Sequence, residues 1–125
     1  MYFRENFHTD AAPQAIGPYS QAVRAGELVF ISGQIPLDPA TMELVDGDFR
    51  RQVEQVMTNI EAVASAAGGT LCQLVKLNVY LTDLAKFEVV NEVLDEFFLE
   101  PYPARAAVEV SALPKGAQVE MEATM

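Results

Sequence analysis

Cysteine, histidine and basic side chains are all scarce in this chain of 125 residues. Its one cysteine, Cys72, allows no disulfide within the chain, which suits a reducing compartment and predicts a cytoplasmic protein. The one histidine, His8, sits in an N-terminal segment expected to be mobile, which argues against a His-centred triad or a multi-histidine metal site. Eight Lys and Arg stand against 18 Asp and Glu, for a net charge of −10. Such a chain repels phosphate backbones, so nucleic acid is not expected as the main partner, although a local basic pocket remains possible. No apolar stretch is long enough to cross a membrane, and Met1-Tyr2-Phe3-Arg4-Glu5-Asn6 lacks the apolar run of a signal peptide. Repeats, low-complexity segments and linkers are missing, as are a Gly-rich phosphate loop, a CxxC pair and an HExxH motif. What is present is a chain 50% hydrophobic, enough for one domain over residues 1–125 with a real core.

The periodicities predict an α+β fold. Ala11 to Pro18 is rich in turn signals and reads as an ordered loop. Tyr19–Arg24 and Leu28–Gln34 are β-rich runs around the turn Ala25-Gly26-Glu27. Ser32-Gly33 inside the second run suggests a bulge or a close backbone approach. A loop follows from Pro36 to Gly47. Phe49, Val53, Val56, Met57, Ile60, Val63 and Ala67 then repeat at helical spacing, with Asp46 or Asp48 as cap and Gly68-Gly69 as stop. Leu74–Leu81 alternates, with Val75, Leu77, Val79 and Leu81 on one face and Lys76, Asn78, Tyr80 and Thr82 on the other. Asp83 begins a second helix to about Phe98, burying Leu84, Phe87, Val90, Leu94, Phe97 and Phe98, with Pro101 and Pro103 beyond it. Arg105–Val110 and Gln118–Ala123 are the last strands. The expected order is β-β-α-β-α-β-β, one sheet with both helices on one face. In the last two strands Ala106, Val108, Val110, Val119, Met121 and Ala123 are expected to meet the helices. Arg105, Ala107, Glu109, Gln118, Glu120 and Glu122 are expected on the uncovered face with Lys76, Asn78 and Tyr80. A face of that composition suits a subunit interface enclosing a polar pocket.

Arg105 stands out because arginine is costly to bury without an anion, and its planar fork fits a carboxylate or phosphate at two points. Either it forms a cross-strand ion pair with Glu109, Glu120 or Glu122, or it awaits an anionic ligand. Glu120 has its own plain reading as a solvated strand carboxylate. Tyr19 reads as a half-buried aromatic, Phe87 as core, and Cys72 as an inert thiol. Asn59 and Asn91 are either buried polar pins or exposed helix residues.

Five blocks, in order, are similar to one family. They are Ala15-Ile16-Gly17-Pro18-Tyr19-Ser20-Gln21-Ala22, Phe30-Ile31-Ser32-Gly33-Gln34-Ile35-Pro36, Asn91-Glu92-Val93 with Phe97-Phe98, Pro103-Ala104-Arg105, and Val108-Glu109-Val110 with Leu113-Pro114-Lys115-Gly116. Together they resemble the reactive intermediate deaminase (Rid, or YjgF) family. The resemblance implies a chorismate-mutase-like fold and a homotrimer with ligand clefts between subunits. It also implies cofactor-independent hydrolysis of 2-imino acids (2-iminobutanoate, 2-iminopropanoate) and their 2-enamino tautomers to 2-oxo acids and ammonia. Carried over by position, Arg105 would bind the substrate carboxylate and Glu120 would act near the reacting water, with Tyr19 beside them. Ser32, Gly33, Phe87, Asn91 and Ala107 would line the pocket. No metal is implied.

The chain departs from the family's usual pattern in places. Met42 stands where a loop glycine is common, and Leu94 where a tyrosine is frequent. Ala107 replaces a common cysteine, and Ser111-Ala112 a common Ala-Arg pair. The sequence also stops at Met125, earlier than many relatives. A second function class, a small-carboxylate-binding regulatory module without catalysis, uses the same arginine. A third, a housekeeping trimer whose arginine is only an ion pair, needs none of the neighbouring blocks.

Overall fold

The strongest amphipathic stretch forms α1, Phe49–Ala66, in a computed structural model that describes residues 3–125. Asp48 caps it by accepting a hydrogen bond from the Arg51 amide at 3.0 Å. Gly68, at φ +87°, turns the chain away at the other end, a backbone region that disfavours a Cβ. Val53, Val56, Met57, Ile60 and Val63 run along the buried stripe. The second helix, α2, spans Phe87–Phe97. It starts later than the Asp83 signal predicts, because Asp83 caps a separate 3₁₀ turn, Leu84–Lys86, through the Ala85 amide at 3.0 Å. Leu84, expected on the buried side, sits in that turn and is exposed.

The strands are β1 (Arg4–Phe7), β2 (Ala22–Ala25), β3 (Leu28–Gln34), β4 (Lys76–Leu81), β5 (Ala104–Glu109) and β6 (Val119–Thr124). They form one sheet in the order β1-β2-β3-β6-β4-β5. All neighbours are antiparallel except β4 and β5, which run parallel with α2 as their crossover. Ile31, Leu77, Val79, Leu81, Met121 and Ala123 share one core with the buried residues of both helices. Both helices therefore cover the same face, and the expected α+β architecture is the observed one.

Three expectations change. The sheet has a sixth strand, since Arg4–Phe7 pairs with β2 from Arg4↔Ala25 to Phe7↔Ala22. The segment after it is pinned rather than loose. Thr9 N donates to Gln21 Oε1 at 2.7 Å, and Gln21 Nε2 donates to Pro13 O at 2.8 Å. Second, Val75 precedes β4 and is exposed, so only Leu77, Val79 and Leu81 form its buried face. Third, β5 faces opposite to its predicted sense. Leu77 pairs with Arg105, Val79 with Ala107 and Leu81 with Glu109, so those three partners stand on the helix side. Ala106 and Val108 pair with Asn78 and Tyr80 on the open side instead.

Two irregularities shape the surface near β3. Its register against β6 shifts between Ile31 and Gln34, which is the bulge that Ser32-Gly33 suggests. Ile35 and Leu37 of the following loop pack with Ala117, just before β6, in a second small core. Asn59, fully buried on α1, ties that loop down by donating to Leu37 O at 3.0 Å and Ile35 O at 3.4 Å.

Candidate active site

Arg105 lies on β5 at the sheet edge, and α2 supplies both residues that hold it. Asn91 Oδ1 accepts a hydrogen bond from its Nη1 at 2.6 Å. The Phe87 ring lies under the guanidinium at 4.7 Å. Phe87 and Asn91 are four apart, hence on one side of α2. Among the described residues Arg105 forms no salt bridge. Two of the three carboxylates that the ion-pair alternative offered are engaged elsewhere. Glu109 accepts from the Leu84 amide at 2.9 Å, and Glu122 from Tyr80 Oη at 2.5 Å and Asn78 Nδ2 at 3.2 Å. The third, Glu120, points from the opposite face. The result is a positioned guanidinium on a half-open cavity, with its second nitrogen pair still available to an anion.

Glu120 projects from the open face of β6 over the bulge of β3. A Cβ on Gly33 would collide with its Oε2, so only glycine lets the carboxylate settle against that backbone. Burial, and then the neighbouring Glu122, raise the Glu120 pKa above its ordinary value. Tyr80 is raised as well, chiefly by its hydrogen bond to Glu122. Glu120, Gly33, Ser32 and Tyr19 line a second cavity of about 350 Å³. Ser32 turns its hydroxyl inward, donating to Ser20 O at 2.5 Å, so its contribution there is to loop geometry. The Tyr19 ring is half-exposed, and its oxygen accepts from the Ile16 amide at 3.3 Å.

The predicted residues thus form two groups. Arg105, Asn91, Phe87 and the partly buried Ala107 belong to the helix side of the edge strand. Glu120, Gly33, Ser32 and Tyr19 belong to the other face. In the strand register, Arg105 and Glu120 lie two strands apart and three residues along. That places their Cα atoms roughly 14 Å from each other, on opposite sides of the sheet. One copy of the chain cannot bring both to one small acid.

The chain matches the family model described as Endoribonuclease L-PSP over residues 9–125. It is 55% identical to RidA from the Antarctic bacterium Psychrobacter sp. PAMC 21119, whose crystal structure superposes with a TM-score of 0.93 over 97% of this chain and 98% of that one. The chain belongs to the Rid family. A Bos taurus member named 2-iminobutanoate/2-iminopropanoate deaminase is 46% identical over 96% of this chain and 88% of its own. A crystal structure of E. coli TdcF with bound serine is 41% identical, with a TM-score of 0.91 over 96% of each chain. Close relatives of this Rid protein therefore include named imine deaminases.

Strand alternation places Asn78, Tyr80, Glu120 and Glu122 together on the open face, as the register confirms, but does not reveal that Tyr80 and Asn78 both donate to Glu122. The apolar floor beside Arg105 was equally hidden. Leu77, Leu94 and Phe98 have the spacing of plain core residues, and nothing local separates a core leucine from one at the bottom of a cavity.

Among the described residues, no helix is long and apolar enough to cross a membrane, and no cluster of three His, Cys, Asp or Glu could hold a metal ion.

Proposed function

We propose that this Rid protein hydrolyses 2-imino acids and their 2-enamino tautomers to 2-oxo acids and ammonia. The observation that carries this proposal is the unpaired, oriented guanidinium of Arg105, fixed by Asn91 and Phe87 at a cavity mouth. The names of close relatives support the imine chemistry. The serine complex of TdcF shows a small amino acid bound to a structural neighbour. Because Arg105 and Glu120 lie too far apart within one copy, the working site is a cleft between copies in a homotrimer. Each cleft takes Arg105 from one protomer and Glu120, Gly33 and Tyr19 from the next.

In that cleft the Arg105 fork grips the substrate carboxylate and so fixes the adjacent C=N carbon. Water adds to this carbon while its proton passes to Glu120, whose raised pKa makes it a better base than a free glutamate. The imine nitrogen takes up a proton, giving a tetrahedral carbinolamine. The hydroxyl proton then passes by way of Glu120 to the amine nitrogen, the C–N bond breaks, ammonia leaves and the 2-oxo group forms. Tyr19 and the backbone at Ser32-Gly33 face the nitrogen. Such imines already hydrolyse in water, so positioning and acid–base help of roughly 10²–10⁴-fold suffice.

The test is a coupled assay in which a threonine dehydratase generates 2-iminobutanoate with semicarbazide as trap. Wild type is expected to suppress semicarbazone formation and hasten 2-oxobutanoate release. Arg105→Ala is expected to lose roughly 10²-fold or more of this activity. Arg105→Lys is expected to restore little, since an ammonium lacks the two-point fork. An Arg105→Ala protein with most of its activity would remove the proposed carboxylate grip. Inactive wild type would leave the second reading, a regulatory module that binds small carboxylates, which the serine complex of TdcF favours.

A further inference from the structure

The cavity beside Arg105 is larger than a methyl or ethyl side chain needs. Its volume is about 620 Å³. Leu77, Leu94 and Phe98 form its floor, all three buried, and Pro103 forms one wall. Arg105 and Asn91 stand at its polar edge. Leu94 follows Asn91 by three positions on α2, so one helix face presents both the residue that fixes Arg105 and the apolar floor.

We propose that this cavity houses the substrate side chain, and that the protein favours 2-imino and 2-oxo monocarboxylates with bulky apolar side chains. Leu94 is the residue that sets this preference. The proposal rests on the carboxylate grip of Arg105 argued above. With the carboxylate held at the rim, a side chain leaving the next carbon has the Leu94 floor within reach. The far rim carries Glu92 and Asp95, and both are already satisfied. Glu92 Oε2 pairs with Arg50 at 3.3 Å, and Asp95 Oδ1 accepts from Tyr102 Oη at 2.8 Å. Neither needs a cationic ligand, and both oppose a second carboxylate, so acids with acidic side chains are excluded. A tyrosine in place of Leu94 would project its ring and hydroxyl from the floor into the space a bulky apolar side chain would otherwise occupy.

Stable 2-oxo acids test this without requiring turnover. Calorimetric titration compares 2-oxobutanoate, 4-methyl-2-oxopentanoate and 2-oxoglutarate on wild type and Leu94→Tyr. Wild type is expected to bind 4-methyl-2-oxopentanoate about tenfold more tightly than 2-oxobutanoate, for two further buried carbons. 2-Oxoglutarate should bind most weakly. Leu94→Tyr should lose the tenfold preference, its affinities for 2-oxobutanoate and 4-methyl-2-oxopentanoate coming together. Equal wild-type affinities, or an intact preference in Leu94→Tyr, would overturn the proposal. If Leu94→Tyr fails to fold, methyl NMR on wild type decides. The Leu94 signals should shift with 4-methyl-2-oxopentanoate, and their indifference to it would also overturn the proposal. A protein inert toward 2-iminobutanoate that still discriminates among the oxo acids would remove the deaminase and keep the compartment. Turnover of 2-iminobutanoate with no such discrimination would do the reverse.

Discussion

At the scale of single residues, Arg105 presents a guanidinium oriented by Asn91 and Phe87, and Glu120 a partly buried carboxylate resting on Gly33. An arginine in an apolar run signals an anion site, and five neighbouring blocks tie it to one family. Its direction was not legible. Ala104, Ala106 and Ala107 are all small, so the alternation in β5 carries almost no facing information, and the parallel register with β4 decides instead. Glu120 looks unremarkable in sequence. Its character comes from burial, from Glu122 beside it, and from the glycine under its carboxylate. These make it the residue with a pH signature. Its folded pKa is raised, so folding holds the proton more firmly than the unfolded chain does. The resulting stabilisation is complete below the unfolded pKa and is lost as pH rises through the folded one. Glu120→Gln cannot ionise. Its melting temperature at pH 7 is therefore expected to equal or exceed that of wild type, with the advantage disappearing in acid. Thermal melts between pH 4 and pH 8 check this. A constant deficit at every pH would show that Glu120 is a structural anchor rather than a strained carboxylate.

Among the elements, both helices and the central strands were readable, because a wide apolar stripe and a clean alternation leave little choice. The first strand was not. Arg4, Glu5 and Asn6 are exposed and only Phe7 packs against the core, so β1 has no apolar alternation to read and owes its conformation to the hydrogen-bonding edge of β2. The turn before α2 misled in a different way, since Asp83 is a true cap of a shorter element. The loop from Ile35 to Val45 is held by side chains that sequence leaves ambiguous. Met42 takes φ 60°, the left-handed region that favours glycine. Asn59 is the buried pin of that loop. Asn59→Ala is expected to cost about 1–3 kcal/mol, because two loop carbonyls and Gln55 lose a buried partner. Urea unfolding measures it. A change within about 0.5 kcal/mol, the range of ordinary surface substitutions, would mean the loop is held by its apolar contacts alone.

For the whole molecule, the decisive feature is the arrangement of one sheet with a covered and an open face. The open face exposes Phe30 and Val108, 48% and 47% accessible, around the polar cluster of Asn78, Tyr80, Glu120 and Glu122. Apolar residues at the margins of a polar centre suit contact with another copy. The net charge of −10 makes a phosphate polymer a poor occupant of that face. In the proposed function the two groups of site residues, on opposite sides of the sheet, meet in one cleft between copies. Mixing two individually inactive variants, Arg105→Ala and Glu120→Ala, tests this most directly. In the proposed trimer, randomly mixed by co-expression, about a quarter of the clefts would pair an intact Arg105 with an intact Glu120. Roughly that fraction of wild-type 2-iminobutanoate hydrolysis should return. A mixture as inert as its parents, with subunit mixing verified by mass, would place both residues outside any shared cleft and contradict the proposed site.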